Sequence, residues 1–384
     1  MKNTVIIGAI FCMITVISII LIMALTPPAS NQNNKTNITL SDAMNIPDSA
    51  EFKKVSGKRT FTFPEDHGPH PGYAIEWWYF TGNLDNASGD HFGYELTIFR
   101  IGLSNNTQER NTDWMTSGIY MAHFAVTDVN NEMFYSFERF SRDSLQLAGA
   151  LIEDSGDFRI WLEDWTITGS GDAMPVINLK AKNDVIAIDL LLESIKPLVL
   201  QGDQGYSKKG NQAENASYYY SVPRMETSGT INIENISHVV NGDSWMDREW
   251  SSSALGNNQI GWNWFALQFD NNHELMYYQM LSDGPEMDLN SHGVIVDPSS
   301  GKAPINHKDI TLQAMEHWRS PSGISYPIRW KMLLPSESID LDIRAYIPNQ
   351  ELDVSIKYWE GNVDITGMFR GESISGSGYV EMTR

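Results

Sequence analysis

The sequence predicts an all-β fold made of two similar modules behind an apolar N-terminal helix, and three observations carry that reading. From about Glu51 onward, short apolar or alternating runs are separated by Gly, Asn and Asp, with almost no stretch of helical period. The aromatic segment Glu76-Trp77-Trp78-Tyr79-Phe80 is echoed by Gly261-Trp262-Asn263-Trp264-Phe265. Before both lies an uncharged run of 21 residues, Val5 to Leu25.

That run is close to the ~20 residues a helix needs to cross a bilayer, and long for a signal-peptide apolar region of about 7–15. The exit Ala24-Leu25-Thr26-Pro27-Pro28-Ala29-Ser30 offers no clean small-x-small cleavage site, so residues 1–25 read as an uncleaved anchor in preference to a cleaved signal peptide. Lys2 precedes the run and no basic residue follows until Lys35, which places the remainder of the chain on the non-cytoplasmic face of the membrane, in the cell envelope. Residues 26–50, rich in Asn, Thr, Ser and Pro, read as a flexible tether.

Beyond the tether, superposing Trp77 on Trp262 brings Tyr79 onto Trp264, Phe80 onto Phe265, Leu84 onto Phe269 and Asp85 onto Asp270 without a gap. Each segment then passes an Asn-containing turn into another apolar run, so strand-turn-strand units repeat. In Tyr94–Arg100, Tyr94, Leu96 and Ile98 alternate with Glu95, Thr97 and Phe99, as on a strand with one buried face. Met121–Thr127 and Asp189–Glu193 behave alike. A second echo, Trp161–Gly169 against Trp359–Gly367, suggests that both halves close in the same way. These echoes put the join near Pro223–Ser228 and give domains 51–225 and 226–384. Antiparallel modules of this size form sandwiches or barrels, and a barrel removes exposed edges.

Composition narrows the function. With 27 Lys+Arg against 48 Asp+Glu, the formal charge of -21 repels phosphate backbones, so no nucleic-acid partner is expected, and an anionic membrane surface is an equally poor docking target. Cys12, the one cysteine, lies in the apolar N-terminal run, so the folded part has no disulfide, thiolate metal site or cysteine nucleophile. No Gly-x-Ser-x-Gly elbow, His-Glu-x-x-His, phosphate loop or Gly-x-Gly-x-x-Gly occurs, which argues against a serine hydrolase, a zinc protease, a nucleotidase and a dinucleotide enzyme. No cofactor is expected.

The strongest chemical constellation is Trp245-Met246-Asp247-Arg248-Glu249-Trp250. On a strand, Trp245, Asp247 and Glu249 share one face, and Met246, Arg248 and Trp250 the other. Two carboxylates beside an indole suit an acid/base pair, since desolvation and mutual repulsion raise one pKa; equally, they suit arginine-paired acids that tie the domains together. Asp66, His67, His70 and Glu76 form a second cluster whose spacing matches no zinc pattern, and no metal is expected there. Glu76 among aromatic strand residues needs a partner, for which Arg100 or Arg248 qualifies, or else serves catalysis. His123, in an apolar strand, is either a hydrogen-bonded core residue or a base. Tyr218 and Tyr220 point together, either lining a cavity or filling it.

These stretches together resemble a known family, the AttH and carotenoid 1,2-hydratase group of two-domain, lipocalin-like (calycin) proteins. The resemblance rests on Glu76–Gly82, Met121–Asp128, Leu200–Ser207, Ala216–Ser221, Trp245–Trp250 and Gly378–Glu381, and spans about residues 60–384. It implies two tandem lipocalin-like β-barrels holding a lipid or other apolar small molecule, in a barrel or between the two. AttH-type members accompany an ABC transporter permease, and the Asp-Arg-Glu form with an N-terminal anchor looks closer to that branch. The hydratase branch adds water to an isoprenoid double bond with an aspartic acid as proton donor, for which Asp247 is the nearest counterpart and Glu249, Glu76 or His123 the partner; hydrolysis is the less favoured chemistry. Trp77, Trp78, Tyr79, Tyr218, Tyr220, Trp245, Trp250, Trp262 and Trp264 are the expected ligand-lining aromatics.

Overall fold

Alternation of apolar side chains with period two, interrupted by Gly- and Asn-bearing turns, gives antiparallel strands throughout a computed structural model that describes residues 52–103, 114–252, 256, 259–284 and 288–383. The expected anchor (1–25) and tether (26–50) lie outside these residues. Among the described residues no helix is long and apolar enough to cross a membrane.

The first sheet opens with β1 (Ile75–Asn86), β2 (His91–Gly102), β3 (Gly118–Asp128) and β4 (Met133–Arg142). A meander follows: β5 (Ala148–Ile152), β6 (Phe158–Leu162), β7 (Trp165–Ser170), β8 (Val176–Lys182) and β9 (Ile186–Ser194). Short β10 (Val199–Leu200) and β11 (Tyr206–Lys208) edge the long strand β12 (Ala216–Ile233), which turns into β13 (Ile236–Ser251). The second sheet holds β14 (Gln259–Phe269), β15 (Glu274–Ser282), β16 (His292–Val296), β17 (Lys302–Asn306), β18 (Thr311–Arg319), β19 (Ser325–Leu334), β20 (Ile339–Ala345), β21 (Glu351–Leu352), β22 (Tyr358–Phe369) and β23 (Glu372–Met382).

The strand orders are β4-β3-β2-β1-β13-β12-β9-β8-β7-β6-β5 and β17-β16-β15-β14-β23-β22-β20-β19-β18. Read side by side, β1 corresponds to β14 and the pair β12–β13 to β22–β23. The correspondence holds to the residue. Leu84 pairs with Gly242 and Phe269 with Gly376; a Cβ on Gly242 would lie 2.1 Å from the Asn83 carbonyl oxygen, and one on Gly376 2.2 Å from that of Gln268. The offset that superposes Trp77 on Trp262 therefore describes a real structural repeat.

The sheets divide the chain between Ser251 and Gln259, not near Pro223–Ser228, which is the interior of β12. The misleading signal was the second echo. Trp359–Gly367 belongs to β22, whose counterpart is β12, whereas Trp161–Gly169 belongs to β6 and β7. The returning pair β12–β13 closes the first sheet beside β1, and antiparallel hydrogen bonding over β1's full length keeps it there.

Each sheet curls around its own core, as a lipocalin-like barrel does. Phe124 of β3 meets Trp165 of β7, at 5.5 Å between ring centroids, although many strands separate them in the sheet order. Phe265 of β14 likewise meets Trp330 of β19 at 5.5 Å. Trp78, Phe80, Met246 and Trp250 fill the first core, and Phe265, Leu267, Trp359 and Val380 the second.

Candidate functional site

Because alternate residues face opposite ways, the strands that fill each barrel also present a second, largely aromatic face, and the two faces meet. Trp77 and Tyr79 of β1 and Trp245 of β13 pack with Trp262 and Trp264 of β14 in a cluster separate from both barrel cores. Tyr79 meets Trp264 edge-on at 5.2 Å, and Asn83 Nδ2 donates to the Gly378 carbonyl at 3.1 Å. A pocket opens at this junction. Trp77, Tyr79, Thr97, Phe99, Lys209, Tyr219, Asp247 and Glu249 line it from the first half, and Trp262, Trp264, Tyr278, Met280, Tyr358, Glu360 and Glu381 from the second. The free space is ≈ 720 Å³, open solvent at its mouth included.

The two halves contribute equivalent positions. Asp247 pairs with Tyr79 across β1–β13, and Glu381 pairs with Trp264 across β14–β23, so the repeat places one acid opposite the other. Both are anchored by indoles. Trp245 Nε1 donates to Asp247 Oδ1 at 2.7 Å, and Trp262 Nε1 to Glu381 Oε1 at 2.9 Å. The hydroxyls of Ser221 and Tyr219 also donate to Asp247, each at 2.5 Å, and Trp264 Nε1 donates to the Tyr219 hydroxyl at 3.2 Å. Glu360 lies directly across from Glu381 and accepts a hydrogen bond from the Tyr79 hydroxyl.

Burial sets the charge state of these acids, because a carboxylate removed from water without a cation is disfavoured. It pushes Asp247 up to about 7; hydrogen bonds from Ser221, Tyr219 and Trp245 hold the rise back, and the Glu249 charge adds to it. Glu381 is pushed up to about 8 by burial, reinforced by Asp247 and Glu249. Glu360 stands well above the ordinary carboxylate value, through burial and the charges of Glu381 and Glu95. Glu249 differs, with Lys209 Nζ at 3.2 Å from its Oε1. The site therefore holds protonated acids against aromatic faces near neutral pH.

The expected residues divide along the strand alternation. Asp247, Glu249, Trp77, Tyr79, Trp262 and Trp264 line the pocket, and Trp245 orients Asp247 from just behind it. Trp78, Trp250, Tyr218 and Tyr220 do not: all four point into the first barrel core. Glu76 is also directed inward. It bridges Arg100 and Arg248, accepts the His70 backbone N–H at 2.9 Å, and is held well below its usual range by those cations despite full burial. Arg248 in turn covers the Trp78 ring at 4.0 Å. These contacts give Glu76 the arginine-paired role and remove it from the pocket. Asp66 pairs with Arg59 and His70, while His67 bonds the Tyr220 hydroxyl and the Asp172 carbonyl, both at 2.7 Å, so the second cluster braces the barrel.

His123 is a core residue, bonded through Nδ1 to the Tyr358 hydroxyl at 2.7 Å, with its pKa lowered to about 3 by burial; it stays neutral and reaches the pocket only through Tyr358. Sequence reasoning did not single out Tyr219, Lys209, Glu360 or Glu381 as site residues. For Glu381 a signal existed: it ends the Gly378–Glu381 stretch, and the repeat makes it the partner position of Asp247. Among the described residues no three His, Cys, Asp or Glu side chains converge as metal ligands.

Comparison with known proteins agrees with this architecture. A protein crystallised as an AttH from Nitrosomonas europaea is 28% identical, with a TM-score of 0.75 over 86% of this chain and 99% of that one. Kievitone hydratase from Nectria haematococca is 13% identical, TM-score 0.62, over 86% and 97%. CghA crystallised with Sch210972 is 12% identical, TM-score 0.52, over 86% and 94%. At these lower identities the likeness is one of fold. No curated protein sequence matches the chain. The AttH-like family profile matches residues 54–384, nearly the whole described chain, and the protein belongs to the AttH-like family.

Proposed function

We propose that the chain binds a lipid or another largely apolar small molecule in the pocket between its two barrels. The observation that carries this reading is the contrast between filled barrel interiors and an open junction walled by Trp77, Trp262, Trp264, Tyr79, Tyr219, Tyr278 and Tyr358. Concave, mostly apolar sites with a few convergent polar groups are where small molecules bind. The reading extends to the non-cytoplasmic face of a membrane, with residues 1–25 as anchor or signal and an ABC transporter permease as partner. The N-terminal run and the family resemblance support these two points. Native mass spectrometry of the protein purified from membranes, followed by solvent extraction, tests the binding. A stoichiometric apolar ligand, lost in Trp264→Ala, is expected; an empty protein that takes up no added lipid or isoprenoid refutes it.

One observation favours a second reading, acid-catalysed hydration of a double bond. Asp247, raised to about 7, can give its proton to an alkene carbon near neutral pH. The resulting carbocation would face aromatic rings, water would add to it, and the proton shed by that water would return to the Asp247 carboxylate. The fold shared with kievitone hydratase is compatible with this chemistry. Asp247→Asn is then expected to abolish turnover while sparing fold and ligand binding. If the variant loses its fold instead, Asp247 is structural.

A further inference from the structure

The pocket holds more acid than its own cations answer. Of its four carboxyl groups, Glu249 alone has an ammonium beside it, that of Lys209. Asp247, Glu381 and Glu360 form no ion pair among the described residues. Glu95, fully buried, adds a fifth carboxyl that interacts with Glu381 and Glu360. Glu360 lines the pocket yet is 0% exposed; its Oε1 accepts the Tyr79 O–H hydrogen bond, and its Oε2 has no partner among the described residues. Buried polar groups left unpaired are rare in native proteins and point to a missing partner.

The walls are suited to receive positive charge. Lys209 Nζ sits 4.0 Å from the Tyr278 ring centroid and 4.8 Å from that of Tyr219, so one ammonium already rests on these aromatic faces. Cations over Trp and Tyr faces are attracted by the ring quadrupole, most strongly when desolvated. We infer that the ligand of this pocket is an amphipathic organic cation, an amine or quaternary ammonium whose charge lies among Asp247, Glu360 and Glu381 and whose apolar body lies along the tryptophans. This inference rests on the binding reading above and adds the charge. A neutral hydrocarbon would leave Glu360 Oε2 unpaired; a cation lets the acids ionise.

The test compares benzyltrimethylammonium with neopentylbenzene, its uncharged carbon isostere, by quenching of tryptophan fluorescence in the intact protein. At pH 8 the cation is expected to bind at least about tenfold more tightly, in line with the cation–aromatic and charge terms together. Its affinity is expected to rise about tenfold from pH 6 to pH 8, as an acid titrating near 7 ionises. The groups facing that acid are Glu249, Lys209, Tyr219, Tyr79, Glu360, Glu381 and, behind them, Glu95. Glu381→Gln and Glu360→Gln are expected to weaken the cation at least about tenfold more than they weaken the neutral compound, in variants whose native circular dichroism shows that the protein remains folded. If the neutral compound binds as tightly as the cation, the pocket stands and the charge inference falls. If neither binds to a protein with native circular dichroism, both fall.

Discussion

Replacing Glu95 by Gln addresses the electrostatics of the junction directly. Glu95 lies in the middle of β2, opposite Thr81 and Ala125, fully buried, with neither carboxyl oxygen in a well-formed hydrogen bond. Burial pushes it up to about 8; the nearby Thr97 hydroxyl offsets part of the rise and the Glu381 charge adds to it. A carboxyl whose folded pKa is raised keeps its proton when the unfolded chain has already released it. The unfolded state then binds fewer protons, and stability falls as pH climbs from the unfolded value near 4.5 towards 8. One group contributes about 1.4 kcal/mol per pH unit, or roughly 3–4 kcal/mol between pH 5 and pH 8. Urea unfolding followed by tryptophan fluorescence at pH 5, 6, 7 and 8 measures the slope for both proteins. In Glu95→Gln the loss on going alkaline is expected to shrink by at least this amount, because Glu381 and Glu360 also relax when their neighbour cannot ionise. Comparing slopes cancels the pH-independent effect of burying an amide. Parallel pH profiles would refute the reasoning and mean that Glu95 is already relieved of its charge penalty in the folded protein.

Glu76→Gln removes the counter-charge of two buried arginines, Arg100 and Arg248, and is expected to destabilise the protein by about 3–5 kcal/mol in the same assay; a change below about 1 kcal/mol would show the cluster to be dispensable. Gly242→Ala and Gly376→Ala each force a methyl group to within about 2 Å of a carbonyl oxygen at equivalent points of the two barrels. Each is expected to destabilise by about 1–3 kcal/mol or more, and a large loss at one with none at the other would break the structural equivalence. Asp247→Asn removes an acid with a raised folded pKa, so the variant is expected to lose less stability than the parent between pH 5 and pH 7; equal losses in thermal melts at those two pH values would contradict the protonated state assigned to Asp247.

Much of the site was legible in the sequence, since strand alternation is a rigid rule. The split of Trp245, Asp247 and Glu249 from Met246, Arg248 and Trp250 is what β13 shows. Arg100 and Arg248, both named as partners for Glu76, do clasp it together. The register of the aromatic echo passed unchanged into the barrel pair. The failures share a cause. Tyr218 and Tyr220 face the same way, as the alternation predicts, but into the core, while Tyr219 between them faces the pocket; both faces of β12 carry tyrosine here, and period-two reasoning cannot say which one meets a ligand.

By itself, then, the sequence determined the all-β class, the repeat and its offset, and which side chains share a face, all of which follow from local periodicity. Tertiary structure alone decided where the halves join, which face of each strand fills a barrel, and that Glu360 and Glu381 stand with Asp247 around one space. Those outcomes depend on pairing between strands far apart in the chain, as when β1 takes β13 for its neighbour and β14 takes β23. No local pattern encodes such pairing, since the energy that selects it comes from burying two aromatic faces against each other only after both barrels have closed.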